Sequence, residues 1–122
     1  AFDLDEYFAG HDESRRLFDV LQTAVSSVGP STLRVTKSQV AFRRVRAFAW
    51  AWRPGQYLAG KRPLLVLSIA LRHRDNSPRW KEIVEPAPGR FMHHLELRKA
   101  QEIDSDVLLW LREAWSEAGG KN

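Results

Sequence analysis

Apolar and polar positions alternate most sharply between Gln39 and Trp52, where the chain reads QVAFRRVRAFAWAW. A period of two with aromatic and β-branched content predicts two short strands, joined near Arg43–Arg46. One parity holds Val40, Phe42, Arg44, Arg46, Phe48, Trp50 and Trp52; the other holds Ala41, Arg43, Val45, Ala47, Ala49 and Ala51. The alanine side lets another element come close. The tryptophan and arginine side must either form a core or line a groove.

The flanking patterns are helical. Asp3 followed by Glu6 predicts a capped first helix over Phe2–Phe8, ended by Gly10. Leu17, Leu21, Ala24, Val25 and Val28 form one stripe of a helix from about Glu13 to Val28, with Asp12 as its expected cap and Gly29-Pro30 as its stop. Leu33 to Thr36 reads as a short strand. Leu64 to Arg72 is apolar on both faces, as a central strand is. A polar turn over His73–Arg79 leads to an edge strand at Trp80–Val84 and a turn at Pro86–Gly89. Phe91 to Leu97 is again a strand, with Phe91, His93, Leu95 and Leu97 opposite Met92, His94 and Glu96. Asp104 caps the last helix, whose stripe is Val107, Leu108, Leu111, Ala114, Trp115 and Ala118. The expected architecture over residues 1–122 is therefore a single α+β domain. An antiparallel meander sheet of four to six strands carries the N-terminal and C-terminal helices on one face, leaving a basic opposite face or edge.

Several residue groups carry a resemblance. Lys37–Arg44, Phe48-Ala49-Trp50, Arg79–Glu82, Trp110–Ala114 and above all the run PGRFMHHLEL at Pro88–Leu97 resemble a bacterial family known only as a domain of unknown function. That likeness covers nearly the whole chain and implies no assigned chemistry. The layout is more loosely similar to the small YjbR-like α+β proteins, some of which carry a DNA-binding label, and transfers no residue.

Composition narrows the functional classes. The chain has 122 residues, no cysteine and a net charge of +4, so disulfides, thiol catalysis and cysteine zinc sites are excluded. Its longest apolar run is too short to span a bilayer, and no basic-then-apolar leader precedes it; the expectation is a soluble, cytoplasmic protein with no membrane partner. Charge is unevenly spread. Residues 31–81 hold twelve basic residues and one acid, whereas residues 1–30 and 82–122 carry net charges of −4 and −3. A middle block of this sign attracts polyanions.

No catalytic or cofactor motif stands beside that block. Adjacent strand histidines point to opposite faces, so His93 and His94 do not share a metal; His93 shares its parity with core residues and His94 faces away. Ser38, Ser68 and Thr36 lie outside any nucleophile-elbow context, and Glu82 and Glu85 have opposite parity. The glycine turns lack phosphate-loop spacing. The leading expectation is a non-catalytic binding module for nucleic acid or another polyanion. In it, Arg43, Arg44, Arg46, Lys61, Arg62, Arg72 and Arg74 contact phosphate and Trp50 and Trp52 stack on bases. An alternative is a small-molecule or enzymatic pocket around Trp50, Trp80, Arg90 and His94, which meet if the strand Phe91–Leu97 lies near Phe48–Trp52. A third reading is a protein-interaction domain whose basic face meets an acidic partner. Leu58 and Leu109 are candidate apolar contacts for a dimer.

Overall fold

A computed structural model describes residues 2–55 and 62–120. The chain opens with α1 (Leu4–Tyr7) and α2 (Asp12–Val28), passes through six strands, and closes with a 3-10 turn (Ala100–Glu102) and α3 (Ser105–Glu117). The strands are β1 (Thr32–Val35), β2 (Val40–Arg43), β3 (Ala47–Trp52), β4 (Leu65–Leu71), β5 (Glu82–Ala87) and β6 (Arg90–Leu97). All neighbours pair antiparallel, in the order β1-β2-β3-β4-β6-β5. This is the α+β fold that the pattern predicts, with one departure from a meander. β6 pairs with β4, and β5 folds outside it as the edge strand.

Local chemistry explains the element boundaries. Asp3 accepts from the Glu6 backbone while the Glu6 carboxylate accepts from the Asp3 N–H, a complete capping box for a four-residue helix. α2 starts one residue earlier than expected. Its cap position is His11, which makes no side-chain capping bond; Asp12 and Glu13 sit inside the first turn and act there through charge. Asp104 caps α3 by accepting from the Val107 N–H at 3.2 Å. The β5–β6 hairpin turns at Pro88-Gly89, where Gly89 takes φ +74°, a value side-chain-bearing residues rarely adopt.

The core lies between one sheet face and the helices. Val40, Phe42, Ala49, Ala51, Leu65, Leu67, Ile69, Leu71, His93, Leu95 and Leu97 are all buried, and register places them on this face. Phe18 of α2 stacks on Phe42 with centroids 5.8 Å apart, and Phe8 packs on Phe18 at 5.2 Å. Ala49 and Ala51 are fully buried, as small residues beneath a close-packed helix layer should be.

Phe48 corrects the parity reading. It shares alternation with Trp50 and Trp52, yet it is 1% exposed and belongs to the core cluster, whereas both tryptophans are half-buried. The register explains the break: Phe42 faces Ala49 and Arg43 faces Ala47, so Phe48 is the extra residue of a β-bulge. A bulge re-aims a side chain, and here it returns a phenyl ring to the core. Arg43 is the last residue of β2 rather than part of the turn, and Arg44, Val45 and Arg46 make the turn. No helix among the described residues is long and apolar enough to cross a membrane. Leu109 is exposed on α3, and Leu58 lies outside the described residues.

Candidate functional site

Opposite the helices, the sheet presents a face assembled from β3, β4, β6 and β5. Register sets Trp50 against Ser68, Ser68 against His94, and His94 against Glu82. Four strands therefore place one line of side chains across this face. Trp52 stands one step away on the same side, with Val66 opposite it and Glu96 beyond.

Ser68 joins two of the rings. The Trp52 Nε1–H donates to Ser68 Oγ at 3.1 Å, and Ser68 Oγ lies 2.7 Å from His94 Nδ1. An indole N–H can only donate, so the serine oxygen accepts there; its second lone pair and its own proton let the same hydroxyl accept from, or donate to, His94 Nδ1. Trp52 and His94 meet edge-on, with centroids 6.4 Å apart and planes at 81°. Ser68 itself is 2% exposed. Its hydroxyl links the Trp52 and His94 rings.

Arg90 completes the cluster from the start of β6. Its guanidinium lies 5.9 Å from the centre of the Trp50 ring, within reach of a cation–π interaction. Arg34 stands opposite Ala41 and Arg43 lies two residues beyond it on β2, so register puts both on this same face toward the β1 edge. The face combines flat aromatic surface, guanidinium charge and an imidazole hydrogen-bonded to Ser68.

Other residues expected at a basic surface lie elsewhere. Arg44, Arg46 and Arg72 converge on the C-terminus of α3. Arg44 Nη1 donates to the Trp115 carbonyl at 3.1 Å, with its guanidinium 3.5 Å from the Trp115 ring centre. Arg46 donates to the Glu117 and Gly120 carbonyls at 2.6 and 2.9 Å, and Arg72 Nη2 to Glu117 O at 3.3 Å. Cations at a helix C-terminus offset its partial negative charge, and these three account for their positions structurally. Arg62 is at another end of the sheet, donating to Gly55 O at 3.2 Å, and Arg74 is exposed in the loop after β4. Lys61 lies outside the described residues.

Of the expected pocket, Trp50, Arg90 and His94 share the open face, but Trp80 does not. It is buried on the helix side, 4.2 Å from Trp110 and 4.8 Å from His93, with its indole N–H donating to Asp75 Oδ2 at 2.8 Å. It precedes β5 rather than lying in it, so strand alternation does not govern where it points. The assumed adjacency of β6 and β3 is also corrected. β4 runs between them, and its Ser68 links the two sides.

His93 is the core histidine that its parity implies. It is fully buried; Nε2 accepts from the Asp75 N–H at 3.0 Å, and Nδ1 lies 3.2 Å from the Phe91 carbonyl. Burial pushes its pKa down. Burial alone would raise Asp75, but hydrogen bonds from Trp80, the Ser77 backbone and Trp110 outweigh it and hold this carboxyl below the ordinary range. Among the described residues, no group of three or more histidine, aspartate or glutamate side chains gathers as a metal site.

Two features of this face escaped sequence reasoning. Ser68 resembled a packing residue, although it is the lone polar side chain in the apolar run Leu64–Leu71. Arg34 was hidden in a strand of four residues. Compared with known proteins, residues 4–118 match the family model for a domain of unknown function (DUF5655). No curated protein and no solved structure matches.

Proposed function

The chain belongs to the DUF5655 family, a domain of unknown function, and we propose that it is a non-catalytic binding module that takes single-stranded nucleic acid across its open sheet face. One observation carries the reading. Trp50 and Trp52 are half-buried on a sheet face whose opposite side packs against the helices, with Arg90 over Trp50 and Arg34 and Arg43 on the same side. Aromatic faces beside guanidinium groups suit stacked bases and a passing phosphate backbone, and they do so with little sequence preference. A duplex hides its base faces, so this surface favours single strands.

The test is fluorescence anisotropy of labelled single- and double-stranded DNA and RNA at about 50 and 200 mM salt. Binding should favour single strands and weaken with salt. Trp50→Ala should lose about 1–3 kcal/mol of binding, the range for one stacked base, with an unchanged far-UV spectrum. Absence of binding at the lower salt would sink the proposal.

A second reading, a site for a small aromatic anion at Trp50, Arg90 and His94, is favoured by the Trp52–Ser68–His94 chain, which holds the imidazole in position on this face. It predicts that mononucleotides bind as tightly as oligonucleotides do. A long-strand preference in the same titrations would discard it.

A further inference from the structure

At the end of the sheet where β3 finishes, an open crevice of about 720 Å³ lies between the first turn of α2 and the segments flanking β4 and β6. Its walls carry Arg53, Arg62 and Arg98 with His11, and its one lining carboxylate is Glu13. Ser14 ties the helix wall to the start of β4, donating to Leu64 O at 2.8 Å. The crevice is thus framed by two anchored elements.

Arg53 is the telling group. Its backbone N–H donates to the Tyr7 hydroxyl at 2.9 Å, its guanidinium lies 4.9 Å from the Tyr7 ring centre, and Nη1 is 3.0 Å from His11 Nε2. Arginine can only donate, so His11 accepts through a bare Nε2 and is neutral in this pair. Nε is buried without a partner. Among the described residues, no carboxylate compensates this half-buried cation, although cations drawn out of water are normally paired. Arg62 repeats the pattern, holding the Gly55 carbonyl rather than an acid. Arg98 reaches Glu96 at 3.4 Å from the opposite wall. Among the described residues, neither Arg53 nor Arg62 forms an ion pair, and Arg53 is held against Tyr7 and His11.

We propose that this crevice binds a phosphomonoester or inorganic phosphate, its oxygens shared between Arg53 and Arg62 with Arg98 at the rim. A guanidinium fork matches phosphate oxygens in geometry and charge, and the volume admits a phosphate with a small organic substituent. The site is separate from the open face and does not depend on what that face binds.

Calorimetric titration with inorganic phosphate, at ionic strength matched with sodium chloride, tests it. Saturable binding is expected, weakened about tenfold or more in Arg62→Ala and Arg53→Lys, as loss of a charge-assisted hydrogen bond implies. Arg62→Ala removes only an exposed side chain, so its fold is retained, and Trp50→Ala should leave phosphate affinity unchanged. A 5′-phosphorylated mononucleotide that binds more tightly than phosphate, and loses that affinity in Arg62→Ala, identifies a nucleotide source for the crevice, and equal affinity identifies free phosphate. No heat beyond that of chloride, or affinity unchanged in both arginine variants, overturns the proposal.

Discussion

At the residue scale, the adjacent histidines show how one step along a strand changes chemistry. His94 stands half-buried on the open face beside the Ser68 hydroxyl, while His93 is sealed in the core, where its Nε2 accepts from the Asp75 N–H. The second arrangement has a pH consequence. His93 has its folded pKa depressed below the ordinary value near 6.5, so at lower pH the unfolded chain takes up a proton that the native chain refuses. Stability is therefore complete above about pH 6.5 and falls as pH drops from there toward the folded value. His73 works in the opposite direction. Burial draws its pKa down, but the Glu113 carboxylate 2.7 Å away prevails and raises it; the pair is about half exposed and screened, so its contribution is small. Asp75 and Asp104, both held low, add their losses only at more acid pH, as they protonate. The urea midpoint of the wild type should drop between about pH 7.5 and 5.5, and His93→Gln, which keeps an acceptor without a proton to gain, should flatten that drop. A wild-type midpoint equal at both values would refute the assignment. The burial of His93 was legible from parity alone. Its partner was not, because Asp75 lies in a loop that no periodicity describes.

At the element scale, local signals were easiest to read. The Asp3–Glu6 box, the Gly29-Pro30 stop and the Asp104 cap each depend on residues within a few positions and bound their elements as expected. The turn expected at Pro86–Gly89 narrows to Pro88-Gly89, because Pro86 and Ala87 belong to β5. The missed features are long-range. Arg44 and Arg46 reach carbonyls 71 to 74 residues away, and nothing in their own neighbourhood announces the end of α3. The bulge at Phe48 was equally hidden, since alternation alone assigns it to the tryptophan side. These placements separate two roles for arginine. Arg46→Ala should lower folding stability by about 0.5–1.5 kcal/mol through frayed α3 carbonyls, with little effect on oligonucleotide affinity. Arg90→Ala should do the reverse. Parallel urea melts and anisotropy titrations decide it, and equal losses of oligonucleotide affinity at unchanged stability would refute the division.

Across the whole molecule, the charge segregation of the sequence is partly folded away. The basic middle block sends Arg44, Arg46 and Arg72 to the C-terminus of α3 and Arg79 to its N-terminus, where Arg79 Nη1 meets Asp104 at 2.9 Å. The exposed Arg44, Arg46 and Arg72 are thereby tied to α3, whereas Arg34 and Arg43 of the block, with Arg90 of β6, are placed by register on the open face. Strand order was the other global unknown, because hairpin logic orders neighbours and gives no reason for β6 to pass inside β5. The order sets a gradient of protection. β4 is buried nearly throughout and paired on both sides, whereas β5 is an exposed edge. Native-state hydrogen exchange should therefore be slowest in β4 and fastest among the strands in β5, and the opposite ranking would contradict the topology. The tryptophans divide along the same lines. Trp80 and Trp110 stack at 4.2 Å in the interior, close enough for their excited states to couple, while Trp50 and Trp52 are only half-buried on the far side of the sheet. The molecule thus holds two optical reporters. An exciton signal in circular dichroism should follow the integrity of the interior pair, and in a Trp115→Phe variant, which removes the half-buried tryptophan of α3, collisional quenching by iodide should follow whatever comes to rest on the open face.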